Sequence, residues 1–290
     1  MLASYLNFLK YERRASQHTL QSYQNDLQQF EKFCLEQNPE FALERAEYYH
    51  IRAWVIQLME KQYNPRSVNR KIASLNAFYK FLLQKKIIEK SPTQKLLSLK
   101  YHKNLPVFIK KNETEQLFDP SNFKKDLYGQ RDLVVMELLY GTGIRLSELT
   151  SLKISAIDFN QKTLKVLGKN NKERLIPIHK NLLNLLKNYV DLINGTTEGY
   201  LITTKNGKKA YPMMIYRIAN KYLGMNTSVE KRSPHTMRHT FATHLLNEGA
   251  DLNAIKDLLG HANLAATQIY THNSLERIKK VFEQAHPKSK

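Results

Sequence analysis

A chain of 290 residues is longer than one hydrophobic core comfortably supports, which predicts two domains. With 42% hydrophobic and 10% aromatic residues it can fill those cores, so a disordered chain is excluded as the default. Lys and Arg number 45 against 26 Asp and Glu, a net charge of +19, and an excess that large calls for a polyanionic partner, because unpaired cations repel until phosphates neutralise them.

The basic excess is shared. Residues 1–108 carry 17 basic and 9 acidic side chains, and residues 109–290 carry 28 and 17, as two basic lobes around one duplex would. Cys34 is the only cysteine, so no intrachain disulfide can form and a reducing compartment fits. The opening Met1-Leu2-Ala3-Ser4-Tyr5 lacks the pattern of a signal peptide, and no run approaches 18 apolar residues. The expectation is a cytoplasmic, nucleoid-associated protein with no membrane segment.

The first hundred residues read as helices. Tyr23, Leu27, Phe30 and Phe33 recur at helical spacing after two candidate caps, Ser16 and Thr19. Ile51, Trp54, Val55 and Leu58 make a second stripe. Val68, Ile72, Leu75, Tyr79, Leu82 and Leu83 make a third, entered through Asn64-Pro65. With a shorter helix before Ser16, this predicts a four-helix bundle over residues 1–89. Arg66, Arg70 and Lys71 cluster near the start of the third stripe. A solvated helix face is the ordinary reading of such a cluster; in a basic lobe, phosphate contact is preferred. Residues 90–108 lose periodicity, contain two prolines and several lysines, and read as a linker to a second domain over 109–290.

Helical patterns follow around 113–118 and 130–140. Gly141-Thr142-Gly143-Ile144-Arg145-Leu146-Ser147-Glu148-Leu149 then marks a loop-to-helix junction, where Arg145 can offer two N–H groups to phosphate oxygens and Glu148 can hold its guanidinium. The glycines there fit no nucleotide-binding loop. Thr163–Leu167 and Arg174–Ile178 are β-type runs flanking the polar tip Gly168–Glu173, a β-hairpin that presents Lys169, Lys172 and Arg174 to an anion. Helices are predicted at 179–193, 211–223, 235–247, 252–259 and 264–271, so the chain is mainly α with one small β element.

Ser233-Pro234 is a good helix entry, with serine as cap and proline at the first helical position. His235 and Arg238 lie three apart on one face, with Phe241, Leu245 and Leu246 expected to anchor the opposite side. Asp251 caps the next helix, Gly260 ends it, His261 follows the turn, and Asn263 starts a helix carrying Tyr270. Alone, each of these residues is an ordinary surface or core position. Together they supply cations, a proton-transfer group and a nucleophile, the set a phosphodiester requires. His235, His239 and His244 do not read as a metal site, because the glutamate of His-Glu-x-x-His is missing and Arg238 sets a fixed positive charge among them. The sequence also lacks an aspartate cluster suited to two magnesium ions. No metal or other cofactor is expected.

Arg145, Lys169, His235-x-x-Arg238, His261 and Tyr270, in this order, resemble the active-site set of the tyrosine recombinase (phage integrase) family. The surrounding segments Gly141–Leu149, Gly168–Ile178, Ser233–Leu246 and Leu258–His272 resemble its boxes, closest to the Xer branch, which resolves chromosome dimers. The resemblance spans essentially the whole chain. Asn170 departs from it, standing where the family usually has glycine after the lysine; asparagine tolerates positive φ well enough to keep the turn.

The resemblance implies an N-terminal helical, SAM-like core-binding domain and an α+β catalytic domain, closing as a C-shaped clamp around DNA. It implies that Tyr270 attacks the scissile phosphorus to leave a 3′-phosphotyrosine and a free 5′-hydroxyl, with no metal or ATP. His235 takes the tyrosine proton, Arg145 and Arg238 offset charge on the non-bridging oxygens, His261 donates a further hydrogen bond, and Lys169 protonates the leaving oxygen. Implied partners are a double-stranded site with short inverted repeats, further protomers in a homo- or hetero-tetramer, and a DNA translocase as regulator. The apolar stripe at Leu275, Ile278, Val281 and Phe282 is expected to dock on a neighbouring protomer. The alternatives are an integrase or invertase of a mobile element, a non-catalytic DNA-binding protein of this fold, and a type IB topoisomerase.

Overall fold

The computed structural model describes residues 1–101, 107–168, 173–193, 199–260 and 272–288. They form two compact units, Met1–Asn104 and Leu105–Lys290.

In the first unit, α1 (Leu2–Asn7) runs on through a π-helical turn at Phe8–Glu12, followed by α2 (Gln17–Leu35), α3 (Tyr48–Glu60) and α4 (Pro65–Gln84). The sequence signals for the starts hold: Ser16 Oγ accepts from Thr19 N at 3.2 Å, and Asn64 Oδ1 accepts from Arg66 N at 2.9 Å with Pro65 at the first helical position. The apolar stripes meet in one core of Leu27, Phe30, Ile51, Trp54, Phe78, Tyr79 and Leu82. Inside it lies Asp26, fully buried, and a buried carboxylate requires paired cations or donors. Arg70 Nη2 (2.8 Å), Lys71 Nζ (3.0 Å) and Ser74 Oγ (2.7 Å) from α4 all donate to it.

That arrangement corrects the reading of the basic cluster. Lys71 is buried, bonded to Asp26 and Gln29 and placed over the Trp54 ring, so it serves the α2–α4 contact and does not face a duplex. Arg70 divides its guanidinium between Asp26 and the surface, and Arg66 is exposed. Leu96 and Leu99, within the stretch read as a linker, pack on this core. Asn69 fixes Leu99 by donating to its carbonyl (2.9 Å) and accepting from its N–H (2.8 Å).

The second unit contains α5 (Lys111–Leu117), α6 (Leu127–Thr142), α7 (Leu146–Thr150), β1 (Ile157–Asp158), β2 (Thr163–Leu167), β3 (Glu173–Pro177), α8 (Lys180–Ile193), α9 (Pro212–Asn226), α10 (Pro234–Asn247), α11 (Leu252–Leu259) and α12 (His272–Ala285). The strands form one antiparallel sheet in the order β1-β2-β3, with Val166 opposite Arg174 and Leu164 opposite Ile176. Helix α6 is capped by Asp126, whose Oδ1 accepts from Gly129 N at 2.7 Å. It runs through the middle of the core and is buried on nearly every side, with Asp132 and Glu137 among its buried residues. Helices α8 and α10 cover it. On α10, Phe241 and Leu245 are buried as expected, whereas Leu246 is half exposed and anchors nothing, since it turns away from that stripe.

The C-terminal segment packs on the second unit. Phe282, Ala285 and His286 are buried in the chain's own second unit, and α12 packs on α10, α11 and β3. Lys288 reaches back to Glu137 of α6 and lies over the Phe118 ring. Of the apolar stripe, Phe282 is buried against this chain's own second unit. Among the described residues no helix is long and apolar enough to cross a membrane. The helix expected at 264–271 lies outside the described residues.

Candidate active site

The site begins where α6 stops. Gly143 adopts φ +59°, and a Cβ there would sit 2.5 Å from Phe241 Cδ1, so only glycine fits this close turn. The turn delivers Arg145 as the N-cap of α7, with Glu148 three residues on. Glu148 Oε2 accepts from the Arg145 backbone N–H at 2.8 Å, and Oε1 accepts from Arg145 Nη1 at 2.8 Å. The carboxylate thus caps the helix and aims the guanidinium at the same time.

A second arginine reaches Glu148 from the sheet. Arg174 Nη1 and Nη2 donate to Oε1 and Oε2 at 2.6 and 2.8 Å, a bidentate pair of which both members are about 4% exposed. Burial alone would push the Glu148 carboxyl upward. The bonds and charge of Arg174, joined by the bonds from Arg145, outweigh burial and hold its pKa down at about 2. Arg174 was read from the sequence as a DNA contact, and this is corrected: it points inward, and its charge is committed to Glu148. Strand alternation carried the signal, since Arg174 shares a face with buried Ile176.

The third arginine comes from α10. Ser233 caps that helix, its Oγ accepting from Thr236 N at 3.3 Å, and Pro234 opens it. Arg238 is buried one turn further on, donating to the Gly143 carbonyl and, at 2.6 Å, to the Leu259 carbonyl. Burial first, then the charges of Arg145 and Arg174, lower its pKa to about 10, which leaves it a cation at neutral pH. His235 stands exposed on the first turn of the same helix. His239 is half-buried, and burial followed by the His235 charge lowers its pKa.

All three guanidiniums converge on the end of α11. Arg174 Nε donates to Leu258 O (3.0 Å), Arg238 Nη2 to Leu259 O (2.6 Å) and Arg145 Nη2 to Gly260 O (2.6 Å). A helix leaves its last carbonyls unpaired at the negative end of its dipole, so three cations there satisfy three successive acceptors. Gly260 closes α11 at φ +61°, with Arg174 Cδ only 3.0 Å from where a Cβ would lie. The sequence pointed to Gly260 as a stop but not to these carbonyls as arginine ligands.

Of the predicted site residues, the structure therefore brings Arg145, Glu148 and Arg238 together and puts His235 on the helix that carries Arg238. Lys169, Lys172, His261 and Tyr270 lie outside the described residues. Arg145 keeps 34% of its side chain exposed, so one guanidinium of the cluster still reaches solvent. Such a cluster suits the non-bridging oxygens of a phosphodiester. Among the described residues no group of three or more His, Cys, Asp or Glu side chains could hold a metal ion.

Two family models match this chain: the phage integrase family over residues 107–277, and the phage integrase N-terminal SAM-like domain over residues 2–86. The chain is 39% identical to Tyrosine recombinase XerC of Staphylococcus carnosus (strain TM300) over 291 residues, covering 99% of this chain and 97% of that protein. It is 35% identical to Tyrosine recombinase XerC of Chlorobaculum parvum (strain DSM 263 / NCIMB 8327), covering 99% and 94%. Among solved structures it shares its fold with the Tn1549 transposon integrase in complex with transposon right end DNA. The TM-score is 0.72 at 22% identity, covering 96% of this chain and 98% of that one.

Proposed function

The chain belongs to the phage integrase family, and from that premise we propose that it is a site-specific DNA recombinase of the Xer type, cutting and rejoining DNA through a 3′-phosphotyrosine. The observation that carries this reading is the convergence of Arg145 and Arg238 on one end of α11, directly before His261 in the chain. A phosphate entering there exchanges neutral carbonyl partners for a full negative charge, which strengthens each arginine bond.

The chemistry balances without an outside reactant. The Tyr270 oxygen attacks phosphorus as its proton passes to His235, since a free phenol, with pKa near 10, is a poor nucleophile at neutral pH. The bond to the 5′-oxygen breaks, and Lys169 supplies the proton that oxygen takes up. Arg145, Arg238 and His261 offset charge on the non-bridging oxygens throughout. The phosphotyrosine ester retains the energy of the broken bond, so a 5′-hydroxyl from a partner strand reseals it by reversing each transfer. No ATP is needed.

The substrate is a duplex with short inverted repeats that both basic domains contact, with Arg66 and the exposed part of Arg70 on phosphates and Lys172 at the hairpin tip. Four protomers, alike or of two kinds, make the synapse, in which the C-terminal tail leaves its own domain for a neighbour. A DNA translocase sets the order of strand exchange. The protein works in the cytoplasm on the nucleoid. The test is recombination between two directly repeated copies of the host's chromosome-terminus site on one plasmid. Wild type should resolve the plasmid and Tyr270→Phe should not. Action only on the ends of a mobile element would replace the Xer role with an integrase role, and relaxation of plasmid lacking any site would overturn site specificity.

A further inference from the structure

We propose that Arg174 is a positioning residue of this site, acting on the scissile phosphate through Arg145. The inference rests on the reading of Arg145 as a phosphate ligand. Arg174 is almost wholly buried, and two of its three polar contacts end on Glu148, the group that also holds Arg145. Two of its nitrogens hold the carboxylate of Glu148, and that carboxylate holds both the backbone N–H and the guanidinium of Arg145. Its remaining contact, Nε to Leu258 O, fixes the carbonyl beside those that Arg238 and Arg145 occupy.

Two consequences follow from the charges. Without Arg174, Glu148 would face Arg145 alone and draw that guanidinium fully onto itself, away from solvent. With Arg174 taking both carboxylate oxygens, the Arg145 guanidinium is left with one bond to Glu148 and turns the second arm of its fork to another acceptor, here Gly260 O. Arg174 is also the second residue of the outgoing strand of the hairpin, where it faces Val166 across the sheet, and Lys169 lies five positions before it. One buried residue thus ties the stem that bears Lys169 to the carboxylate that aims Arg145. Lysine cannot take its place, because an ammonium has no planar fork to span both oxygens and reach Leu258 as well.

The experiment compares wild type with Arg174→Lys, which keeps the buried charge, and with Arg174→Gln as the second variant. Melting curves establish that each is folded. Two quantities are read on a nicked duplex site: the dissociation constant and, at saturating DNA, the single-turnover rate of covalent adduct formation. Binding should stay within about threefold while the rate falls about 10- to 100-fold, by analogy with loss of the partner that orients a metal-binding side chain. In an Arg145→Lys background, Arg174→Lys should cost less than about threefold more, because both changes act through one group. Full additivity, a wild-type rate in either folded variant, or equal losses in binding and rate would each overturn the inference. Absence of any adduct with wild type on every site tried would instead bring down the underlying reading, and this one with it.

Discussion

Glu148→Gln removes one negative charge from a pocket that holds two guanidiniums, and the size of the effect can be worked in two ways. The Glu148 pKa of about 2, against the usual 4.5, corresponds to about 3 kcal/mol of stability at neutral pH. Breaking a buried ion pair by removing one partner costs about 3–5 kcal/mol. The two agree. For a unit the size of Leu105–Lys290, about 2–4 °C per kcal/mol translates this into a fall of roughly 10 °C in melting temperature. The sign with pH is fixed as well. A depressed folded-state pKa gives stability that is present above pH 4.5 and is lost as pH falls from there toward 2. Calorimetry at neutral pH should show the loss, and the wild-type advantage over Glu148→Gln should shrink steadily below pH 4.5. A shift under about 3 °C, or an advantage that does not change with acid, would refute the claim that this carboxylate is held ionised by its arginines.

Further outcomes follow from other sites. Gly143→Ala should destabilise by about 2–4 kcal/mol, combining a left-handed backbone with a Cβ 2.5 Å from the Phe241 ring, as measured by chemical denaturation. His179 and His286 stack in the core under the tail with pKa values that burial lowers to about 4 and about 3. The folded state therefore binds fewer protons than the unfolded chain, and stability falls as pH drops from about 6.5 toward 4, by about 1.4 kcal/mol per pH unit for each histidine. His286→Phe should flatten that loss in melting temperature between pH 7 and 5; an unchanged slope would show that His286 titrates normally. DNA affinity should fall about 10³-fold between 50 and 200 mM salt if six or more phosphates are neutralised, which fluorescence anisotropy would measure.

Much of the architecture was legible because it depends on local rules. Ser16, Asn64-Pro65, Ser233-Pro234 and Asp251 start helices by capping chemistry that a few residues decide, and the apolar stripes of α2, α3 and α4 face the core their spacing predicts. The partners of long cations were not legible, even where strand alternation turns one inward as it does Arg174. Lys71 and Arg174 look like surface charges until Asp26 and Glu148, distant in sequence, are brought against them. A cluster of basic residues indicates a polyanion only after its internal carboxylates are counted. The tail shows the same limit: an amphipathic stripe in α12 states that it will be covered but not by which chain, and here Phe282 packs into its own. At the site, the motifs indicated Arg145, Glu148 and Arg238. They could not show that three α11 carbonyls are the acceptors on which the guanidiniums meet, since those acceptors belong to backbone and carry no side-chain signature.

The most direct measurement is the identity of the bond to DNA. Wild-type protein is reacted with a nicked inverted-repeat duplex, denatured, digested and analysed by tandem mass spectrometry. The account predicts a single peptide carrying a nucleotide on the Tyr270 oxygen, with a 5′-hydroxyl on the released strand. Attachment at any other residue, or a 5′-phosphate on that strand, would contradict it.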